Sequence, residues 1–302
     1  MKKITAEDVK KAAETAIATA GSSNGEIAFF GGSFTAIDRD YMTELLSAAK
    51  PYIDNGFFEG IRISTRPDAI DGEICEILKS YGVTSVELGC QSMDEEVLNA
   101  NLRGHTPGDV ENATLILRRY GFEVGHQMMT GLYMSSPRKD IETAKKLIGL
   151  KPDTVRIYPT VVLENTLLCD LYKSGKYRVM SGEETVELCS ELLLMFYENN
   201  IKVIRTGLHS GGNVEEGYVA GFYHPAFKEL CESRIFKKKI ISEIENRKIK
   251  NGKIKIFVSP PSVSPAAGHG RSNINFLVSK GYIPRIIPDG NSDRYEVKVE
   301  EE

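Results

Sequence analysis

The segment EIAFFGGSFTAID, residues 26–38, contains an apolar strand pattern that ends abruptly in two glycines. The apolar run extends from Ile27 to Phe30, and Gly31 and Gly32 follow it directly. Glycine at the end of a strand lets the backbone turn sharply or lets a ligand approach it closely. The segment therefore predicts a strand whose carboxyl end forms either a tight turn or the floor of a binding site.

Helical and strand patterns alternate along the chain on both sides of this segment. We predict a helix from Thr5 to about Ala20, followed by six strands that are separated by helices. Such an alternation indicates parallel strands with helical crossovers, and ligands bind at the carboxyl ends of these strands. Those ends read GGS, TRPD, GCQS, MTGL, YPT and RTGL. The sequence thus predicts an α/β fold that opens, unusually, with a helix.

The pattern changes after Leu208, where a glycine-rich stretch leads into a smaller segment. We predict a barrel-like domain at residues 1–232 and a small α+β extension at residues 233–302. The extension carries 14 Lys and Arg against 8 Asp and Glu, which is a net charge of +6. Because the whole chain has a net charge of −4, the rest of the chain has a net charge of −10. These charges attract an anionic partner such as RNA, or they form an ordinary solvated face.

The composition is typical of a cytoplasmic globular protein, with 41% hydrophobic and 26% charged residues. No apolar run is long enough to span a membrane, and the opening residues MKKITAEDVKKAAETA lack the apolar core of a signal peptide. The five cysteines are far apart and have no CxxC or CxxxCxxC spacing. We therefore expect buried thiols, with neither a disulfide scaffold nor metal ligands.

Four segments resemble one family when they are taken together and in order. They read FFGGSFTAI, ISTRPDAI, VELGCQSMDEEVLNANLRGHT and RIYPTVVLENTLLCDLYKSGKY. Each segment is a weak signal alone, but the ordered set resembles the radical S-adenosylmethionine (SAM) enzymes over about residues 5–232. The resemblance is strongest to the branch of the Elongator catalytic subunit, and the middle segment is also similar to oxygen-independent coproporphyrinogen III oxidase.

The resemblance implies a partial TIM barrel of (β/α)6 type and a defined chemistry. In this family three cysteines of a CxxxCxxC loop hold a [4Fe–4S] cluster, and the remaining iron site binds SAM. Reductive cleavage of SAM gives a 5′-deoxyadenosyl radical, which abstracts a hydrogen atom from the substrate. The resemblance also implies an electron donor such as flavodoxin or ferredoxin, whereas the substrate is not indicated beyond an RNA base or another modification target.

The resemblance assigns the glycine segment and two further residues to SAM. Gly31, Gly32 and Ser33 match a motif whose backbone faces the methionine amino group, although Ser33 stands where the general motif has glutamate. Gln91 matches a glutamine near the ribose or the methionine end. Arg103 matches an arginine that reaches the carboxylate or the ribose, and a planar guanidinium suits a carboxylate because it donates two parallel hydrogen bonds.

Four further residues complete the set that the resemblance assigns to SAM. Arg66 matches the TRPD sequence of the Elongator branch. Gln127 lies where the coproporphyrinogen enzyme has an acidic ribose ligand, so an ordinary polar strand residue is the better interpretation. Tyr158 and Pro159 begin the YPT segment, which packs near the adenine in relatives.

The cluster loop of the family is not found in this sequence. The loop would lie immediately upstream of KKIT, residues 2–5, so the first barrel strand and the CxxxCxxC motif are missing. We therefore expect an incomplete barrel, no stable [4Fe–4S] cluster, and no activity from the chain as given. We also expect the strand at Ile27–Phe30 to form an apolar edge that is open to association.

Two other readings remain open at this stage. The first is a non-catalytic protein that retains the barrel and binds SAM or RNA. The second is a cluster-free barrel enzyme, but the five histidines stand singly, with no HxH or HExxH pattern. An in-frame CxxxCxxC in the DNA upstream of Met1 would favour the radical SAM enzyme over both.

Overall fold

The computed structural model describes residues 3–20, 25–31, 33–208 and 217–302. The chain divides into two compact units. The first unit comprises residues 1–156 and 199–204, and the second comprises residues 157–198 and 205–302. The predicted domain boundary at residue 232 was based on a change in sequence pattern, and it stays a prediction.

The main sheet is parallel and has the strand order β1-β2-β3-β4-β5-β7, and the second unit begins inside β5 at residue 157 and again inside β7 at residue 205. Its strands are β1 (Glu26–Phe29), β2 (Gly60–Thr65), β3 (Val83–Gln91), β4 (Glu123–Thr130), β5 (Thr154–Pro159) and β7 (Lys202–Thr206). Its helices are α1 (Ala6–Ala20), α2 (Arg39–Asp54), α3 (Gly72–Ser80), α4 (Glu95–Ala100), α5 (Pro107–Arg119) and α6 (Pro137–Gly149). This arrangement confirms the predicted α/β fold of a partial (β/α)6 barrel.

The crossover helices begin at side chains that cap their free backbone amides. Each capping oxygen accepts a hydrogen bond from a backbone N–H of the first helical turn, which satisfies a group that the helix itself leaves unpaired. The capping residues of α2 to α6 are Asp38, Asp71, Asp94, Thr106 and Ser136. Because these caps follow the strand ends closely, they fix the loops that carry the candidate site residues.

Side chains of the sheet alternate between an apolar outer face and a polar inner face. In β2, Ile61 and Ile63 are fully buried, and the strand packs against α2. The intervening Arg62 and Ser64 contribute to the inner face. This period of two is the ordinary geometry of a strand, and here it directs charged groups into the sheet interior.

Ion pairs fill the inner face below the carboxyl ends of the strands. Arg62 Nε lies 2.7 Å from Glu26 Oε2, and its Nη2 lies 3.2 Å from Glu123 Oε1. Arg156 donates to both carboxylate oxygens of Glu87. The contacts of Arg62 link β2 to β1 and to β4, and the contacts of Arg156 link β5 to β3. This layer of ion pairs therefore stabilises the sheet below the strand ends.

One edge of the sheet ends at β1, which pairs with β2. A groove of about 440 Å³ runs along this strand and is lined by one face of α1, including Val9, Ala13 and Ala16, and by Ile27 and Phe29 of β1. Among the described strands, the predicted place of this apolar strand at the edge of the sheet is confirmed, and its predicted association stays a prediction.

The second unit contains a pair of short antiparallel strands and a small three-stranded sheet. The pair is β6 (Val161–Leu163) and β8 (Tyr218–Gly221), which run antiparallel. The sheet has the order β10-β9-β11, with β9 parallel to β10 and antiparallel to β11. Its strands are β9 (Lys253–Val258), β10 (Ile283–Pro288) and β11 (Lys298–Glu301).

Five helices of the second unit lie in the described residues, and three of them accompany the three-stranded sheet. They are α7 (Leu167–Lys173), α8 (Gly182–Glu198), α9 (Phe227–Asn246), α10 (Val263–Ala267) and α11 (Ser272–Ser279). The strand β9 and the helix α11 agree with the α+β character predicted for this part of the chain. In the described ranges, no helix combines the length and the apolar character needed to cross a membrane.

Candidate functional site

The carboxyl end of β1 leaves open space where a ligand could approach the backbone. Gly31 has a φ of +156°, and no described atom lies within 4 Å of the position that a Cβ would occupy. Ser33 precedes a short 3-10 helix at Phe34–Ala36 without capping it through its side chain. Gly32, the third residue of this predicted group, lies outside the described residues.

The loop after β1 is tied to the end of β2 through two threonines. Thr35 Oγ1 lies 2.7 Å from Thr65 Oγ1, and the Thr35 backbone N–H donates to the same oxygen at 3.1 Å. Thr35 Oγ1 also donates to the Ala69 carbonyl at 2.7 Å. Because all of these groups are at least partly buried, Thr35 is held in one position relative to β2.

Gln91 ends β3 in a strained three-residue turn. Its φ is +61°, and the Ser92 N–H donates to the Cys90 carbonyl across it at 2.7 Å. A γ-turn of this left-handed kind is rare, and backbone strain of this kind clusters at functional sites. A Cβ on Gly89 would lie 2.8 Å from Gln91 Nε2, so the glycine makes room for the amide.

Arg66 and Arg103 are brought together at this edge of the sheet although they are far apart in sequence. Arg66 makes a bidentate ion pair with Asp68, at 2.9 and 2.6 Å, which raises the pKa of Arg66 and lowers that of Asp68. Burial lowers the pKa of Arg103, and the nearby positive charge of Arg66 lowers it further. In the described part of the chain, no carboxylate pairs with Arg103.

The loop that carries Arg103 is fixed to both neighbouring strand ends. Gly104 has a φ of +74°, and a Cβ there would lie 3.0 Å from Arg66 Nη2. His105 is buried, and its Nε2 lies 3.1 Å from the Cys90 carbonyl oxygen. The half-buried Arg103 side chain therefore extends from a well-anchored loop, which limits the positions available to its guanidinium.

Gln127 lies inside the sheet and is committed to structural contacts. Its Nε2 donates to Glu87 Oε2 at 2.7 Å and to Ser64 Oγ at 3.1 Å. Glu87 is itself held by Arg156. These contacts favour the interpretation of Gln127 as an ordinary polar strand residue, and its predicted contact with ribose stays a prediction.

Tyr158 and Pro159 are the last residues of β5, and they belong to the second unit. Tyr158 is half-buried, and Pro159 is buried. Their predicted role near adenine stays a prediction.

Two features of the sheet interior are not evident from the motifs. Phe30 is 61% exposed beside Gly31, and the guanidinium carbon of Arg156 lies 5.3 Å from its ring centroid. The Arg156–Glu87 pair is buried in the middle of two strands. Its signal in the sequence is a charged residue inside each of the apolar segments SVELG and TVRIYP, but only the strand register shows that the two residues pair.

The loop after β4 is closed by a buried carboxyl group. Asp140 accepts hydrogen bonds from the Gly131 backbone N–H at 2.9 Å and from Ser135 Oγ at 2.5 Å. Burial raises the pKa of Asp140 to about 6, against the opposing effect of these two hydrogen bonds. Asp140 therefore fixes the MTGL strand end from the far side of its loop.

The cysteines do not form a cluster site. All five are buried and free, which confirms the predicted buried thiols. Burial raises the pKa of Cys75 to about 11 and that of Cys90 further, so both favour the protonated thiol. Within the described ranges, no group of three His, Cys, Asp or Glu side chains could hold a metal ion.

Two family models and several curated relatives match this chain. Residues 1–148 match the model of the Radical SAM superfamily, and residues 152–237 match that of the Radical_SAM C-terminal domain. A tRNA uridine(34) acetyltransferase of Dehalococcoides mccartyi is 38% identical over 121 residues, which are 39% of this chain and 26% of that protein. Human Elongator complex protein 3 is 30% identical over 190 residues, which are 56% of this chain and 35% of that protein.

A solved structure shows the same fold at lower identity. The archaeal Methanocaldococcus infernus Elp3 with an N-terminal deletion superposes with a TM-score of 0.66 at 23% identity, and the match covers 81% of this chain and 59% of that one. The chain spans about a quarter to a third of the length of the acetyltransferase and Elongator relatives that it matches.

Proposed function

Because the chain belongs to the radical SAM superfamily, we propose that the Arg66–Arg103 edge of its sheet binds SAM. Arg103 receives the methionine carboxylate, and the backbone at Gly31 faces the methionine amino group. Gln91 donates or accepts a hydrogen bond at the ribose or at the methionine end. Ser33 and Arg66 complete the edge, and Arg66 acts through its charge because Asp68 already occupies its guanidinium.

The observation that carries this proposal is the electrostatic state of Arg103. A half-buried guanidinium without a carboxylate partner among the described residues, beside a second arginine, is unfavourable unless an anion joins it. A bound carboxylate would offset this repulsion and accept two parallel hydrogen bonds from the planar group. The strained turn at Gln91 supports a ligand at the same edge, since such strain persists where function requires it.

The residues of this chain fit SAM but do not supply a cluster. In the family, a [4Fe–4S] cluster provides the electron that cleaves SAM to a 5′-deoxyadenosyl radical. Three thiolates would be needed close together, whereas the five thiols here are buried and do not converge. We therefore expect this chain alone to bind SAM without cleaving it, and we assign no step of the reaction to its cysteines.

The proposed substrate class is a base in RNA. The two curated relatives described above are a tRNA uridine(34) acetyltransferase and an Elongator complex protein. Radical chemistry on an RNA base agrees with the similarity to them. The basic extension at residues 233–302 supports the same partner through its charge. The electron donor, flavodoxin or ferredoxin, stays a prediction for a cluster-bearing form.

Calorimetric titration tests the proposed site with two ligands. SAM carries the methionine amino and carboxylate groups, whereas 5′-methylthioadenosine lacks both. The variant Arg103→Gln should weaken SAM binding by at least tenfold, the loss expected for one charge-assisted contact, and should leave methylthioadenosine binding nearly unchanged. Arg178→Gln serves as a control, because Arg178 is exposed and paired with Glu184. Equal SAM affinity in Arg103→Gln and the parent would refute the carboxylate assignment.

A product assay separates SAM binding from radical chemistry. The chain is treated anaerobically with iron and sulfide, then with reductant and SAM, and 5′-deoxyadenosine is measured. We expect SAM binding without this product. Production of 5′-deoxyadenosine by this chain would overturn the assignment of no cluster ligands.

The alternative is a non-catalytic protein that binds SAM or RNA. It shares the SAM site with the first proposal and differs in the cluster. An in-frame CxxxCxxC in the DNA immediately upstream of Met1 would favour the enzyme, and unrelated sequence there would favour the binding protein.

A further inference from the structure

The second unit contains a module that is distinct from the proposed SAM site. The strands β9 and β10 run parallel, and α10 and α11 connect them, so residues 253–288 have the order β-α-α-β. The two matching family models end at residue 237, before this module begins. The module is therefore free to have a function that the family similarity does not describe.

A glycine-rich loop connects the two helices of the module. Its sequence is Gly268-His269-Gly270-Arg271, and the φ values of Gly268, Gly270 and Arg271 are +85°, +57° and +63°. A Cβ on Gly268 would lie 2.5 Å from Ser272 Oγ, so only glycine fits there. In KH modules, a Gly-x-x-Gly loop clamps the backbone of a single-stranded nucleic acid. Here Arg271 stands at the fourth position in a left-handed conformation that normally favours glycine.

The loop is anchored from behind and open in front. The His269 backbone N–H donates to Ser233 Oγ at 3.1 Å, and Asn273 Nδ2 donates to the Ser233 carbonyl at 2.9 Å. Asn273 is buried, whereas His269, Gly270 and Arg271 are exposed. No described atom lies within 4 Å of a Cβ built on Gly270. A phosphate group could therefore approach the loop backbone without displacing protein atoms.

Positive charge continues from the loop along one face of α11. Ser272, Phe276 and Lys280 are spaced four residues apart and share this face. Lys237 Nζ lies 3.9 Å from the centroid of the Phe276 ring, and Lys280 Nζ lies 5.7 Å from it. The face is about 12 Å long, as expected for eight helical residues.

The charges on this face are available to a partner. Among the residues that the structure describes, no carboxylate pairs with Lys237, Arg271 or Lys280. A cavity of about 370 Å³ lies beside the loop and is lined by Lys237, Ser272 and Asn273 together with Arg234 and Glu183, which pair with each other at 3.5 Å. Arg234 is already paired with Glu187 at 2.8 Å, so Lys237 provides the charge that remains for a ligand.

We infer that this surface, formed by the Gly268–Arg271 loop, Lys237 and Lys280, is a phosphate clamp for single-stranded RNA. The Gly270 backbone N–H and the Arg271 side chain contact one phosphate, because the other loop N–H groups already donate within the protein, and Lys237 and Lys280 contact the phosphates that follow along α11. Phe276 provides a ring on which a base can stack when Lys237 moves to a phosphate. A narrow strip of this kind fits one strand better than a duplex. The inference does not depend on the proposed SAM site, so either can fail without the other.

The test measures fluorescence anisotropy of a labelled RNA of about ten nucleotides with the full chain over a range of salt concentrations. Gly270→Asp places a carboxylate where the phosphate would lie, and we expect at least tenfold weaker binding. Lys237→Gln should reduce the slope of log affinity against log salt by about one contact.

Matched controls separate the clamp from general charge and folding effects. Gly175→Asp makes the same substitution at another exposed glycine of the second unit, with a φ of +73° and no described atom within 4 Å. Lys253→Gln removes a lysine from β9 on the side opposite the buried Ile254 and Ile256. Both controls should retain parental RNA affinity and melting temperature.

Three outcomes would overturn the inference. The first is no RNA binding by the parent chain at low salt. The second is equal weakening by Gly270→Asp and Gly175→Asp. The third is tighter binding of duplex RNA than of single-stranded RNA, which would exclude a single strand as the ligand.

Discussion

The guanidinium of Arg156 donates two hydrogen bonds to the carboxylate of Glu87 inside the sheet, with Nε 2.6 Å from Oε2 and Nη2 2.8 Å from Oε1. Both side chains are almost fully buried. The pair joins β3 to β5 directly below the strand ends where SAM is proposed to bind. A buried pair with two parallel hydrogen bonds is rigid, and removal of one partner leaves the charge of the other uncompensated.

We predict that Glu87→Leu lowers the free energy of unfolding by about 3–5 kcal/mol, because Arg156 is left buried without its carboxylate. Urea denaturation followed by circular dichroism measures the change. The double variant Glu87→Leu with Arg156→Met should recover part of the loss. Glu142→Gln, which removes an exposed partner of Lys145, should cause no measurable loss. A similar loss of stability in Glu87→Leu and in the control Glu142→Gln would contradict the assignment.

Gly125 of β4 should tolerate no side chain. A Cβ there would lie 2.9 Å from Glu87 Cγ and 2.9 Å from Thr154 Oγ1, so Gly125→Ala should destabilise the protein by about 1–3 kcal/mol. The matched control is Gly149→Ala at the end of α6, where no described atom lies within 4 Å. The control should be neutral or stabilising by up to about 1 kcal/mol. Thermal melts of the two variants distinguish crowding from a general effect of alanine.

His126 should make stability depend on acid pH. Burial, and then the charge of Arg118, lower the pKa of His126 from 6.5 to about 3, so the folded state favours the neutral ring. Its Nε2 lies 2.9 Å from Thr114 Oγ1. The free energy of unfolding is therefore highest, with respect to this group, above pH 6.5. It falls as the pH falls toward 3, because the unfolded chain binds the proton first. The effect is on the order of 4 kcal/mol.

Stability measured against pH checks this prediction. His126→Gln should flatten the decline between pH 6.5 and 3, even if the variant is less stable at neutral pH. Thr114→Val removes the hydrogen-bond partner but retains the ring, so it should lower stability and retain the decline. An unchanged decline in His126→Gln would show that other groups cause it.

Gln91→Gly should separate backbone strain from ligand binding. Glycine adopts the φ of +61° without the steric cost of a side chain, so the variant should be as stable as the parent or more stable by up to about 1 kcal/mol. Its affinity for SAM should fall, because the amide is lost. Lys151→Gly is the control, since Lys151 has a φ of +51° and precedes β5 at the opposite end of the sheet.

Calorimetry and melting curves of these two variants give a clear comparison. We expect both to retain stability and only Gln91→Gly to lose SAM affinity. A large loss of stability in Gln91→Gly would assign Gln91 to the structure of the strand end instead of to the ligand.

The sequence predicted much of the fold because its signals are local. The apolar run at 27–30 and its glycines marked the end of β1 to within one residue. The helix predicted from Thr5 to about Ala20 agrees in the same way with α1 at Ala6–Ala20. The position of Gln127 could not be predicted, since its commitment to Glu87 depends on a partner 40 residues away.

By itself, the sequence determined the alternation of strands and helices, the order of the motifs and the family resemblance, because periodicity and spacing are properties of neighbouring residues. Only the tertiary structure decided that Arg103 meets Arg66 without a carboxylate partner in the described residues, and that Arg156 meets Glu87 across 69 positions. The physical reason is strand register. Which side chains meet on the inner face, and which charges remain for a ligand, depends on how distant strands align in the sheet.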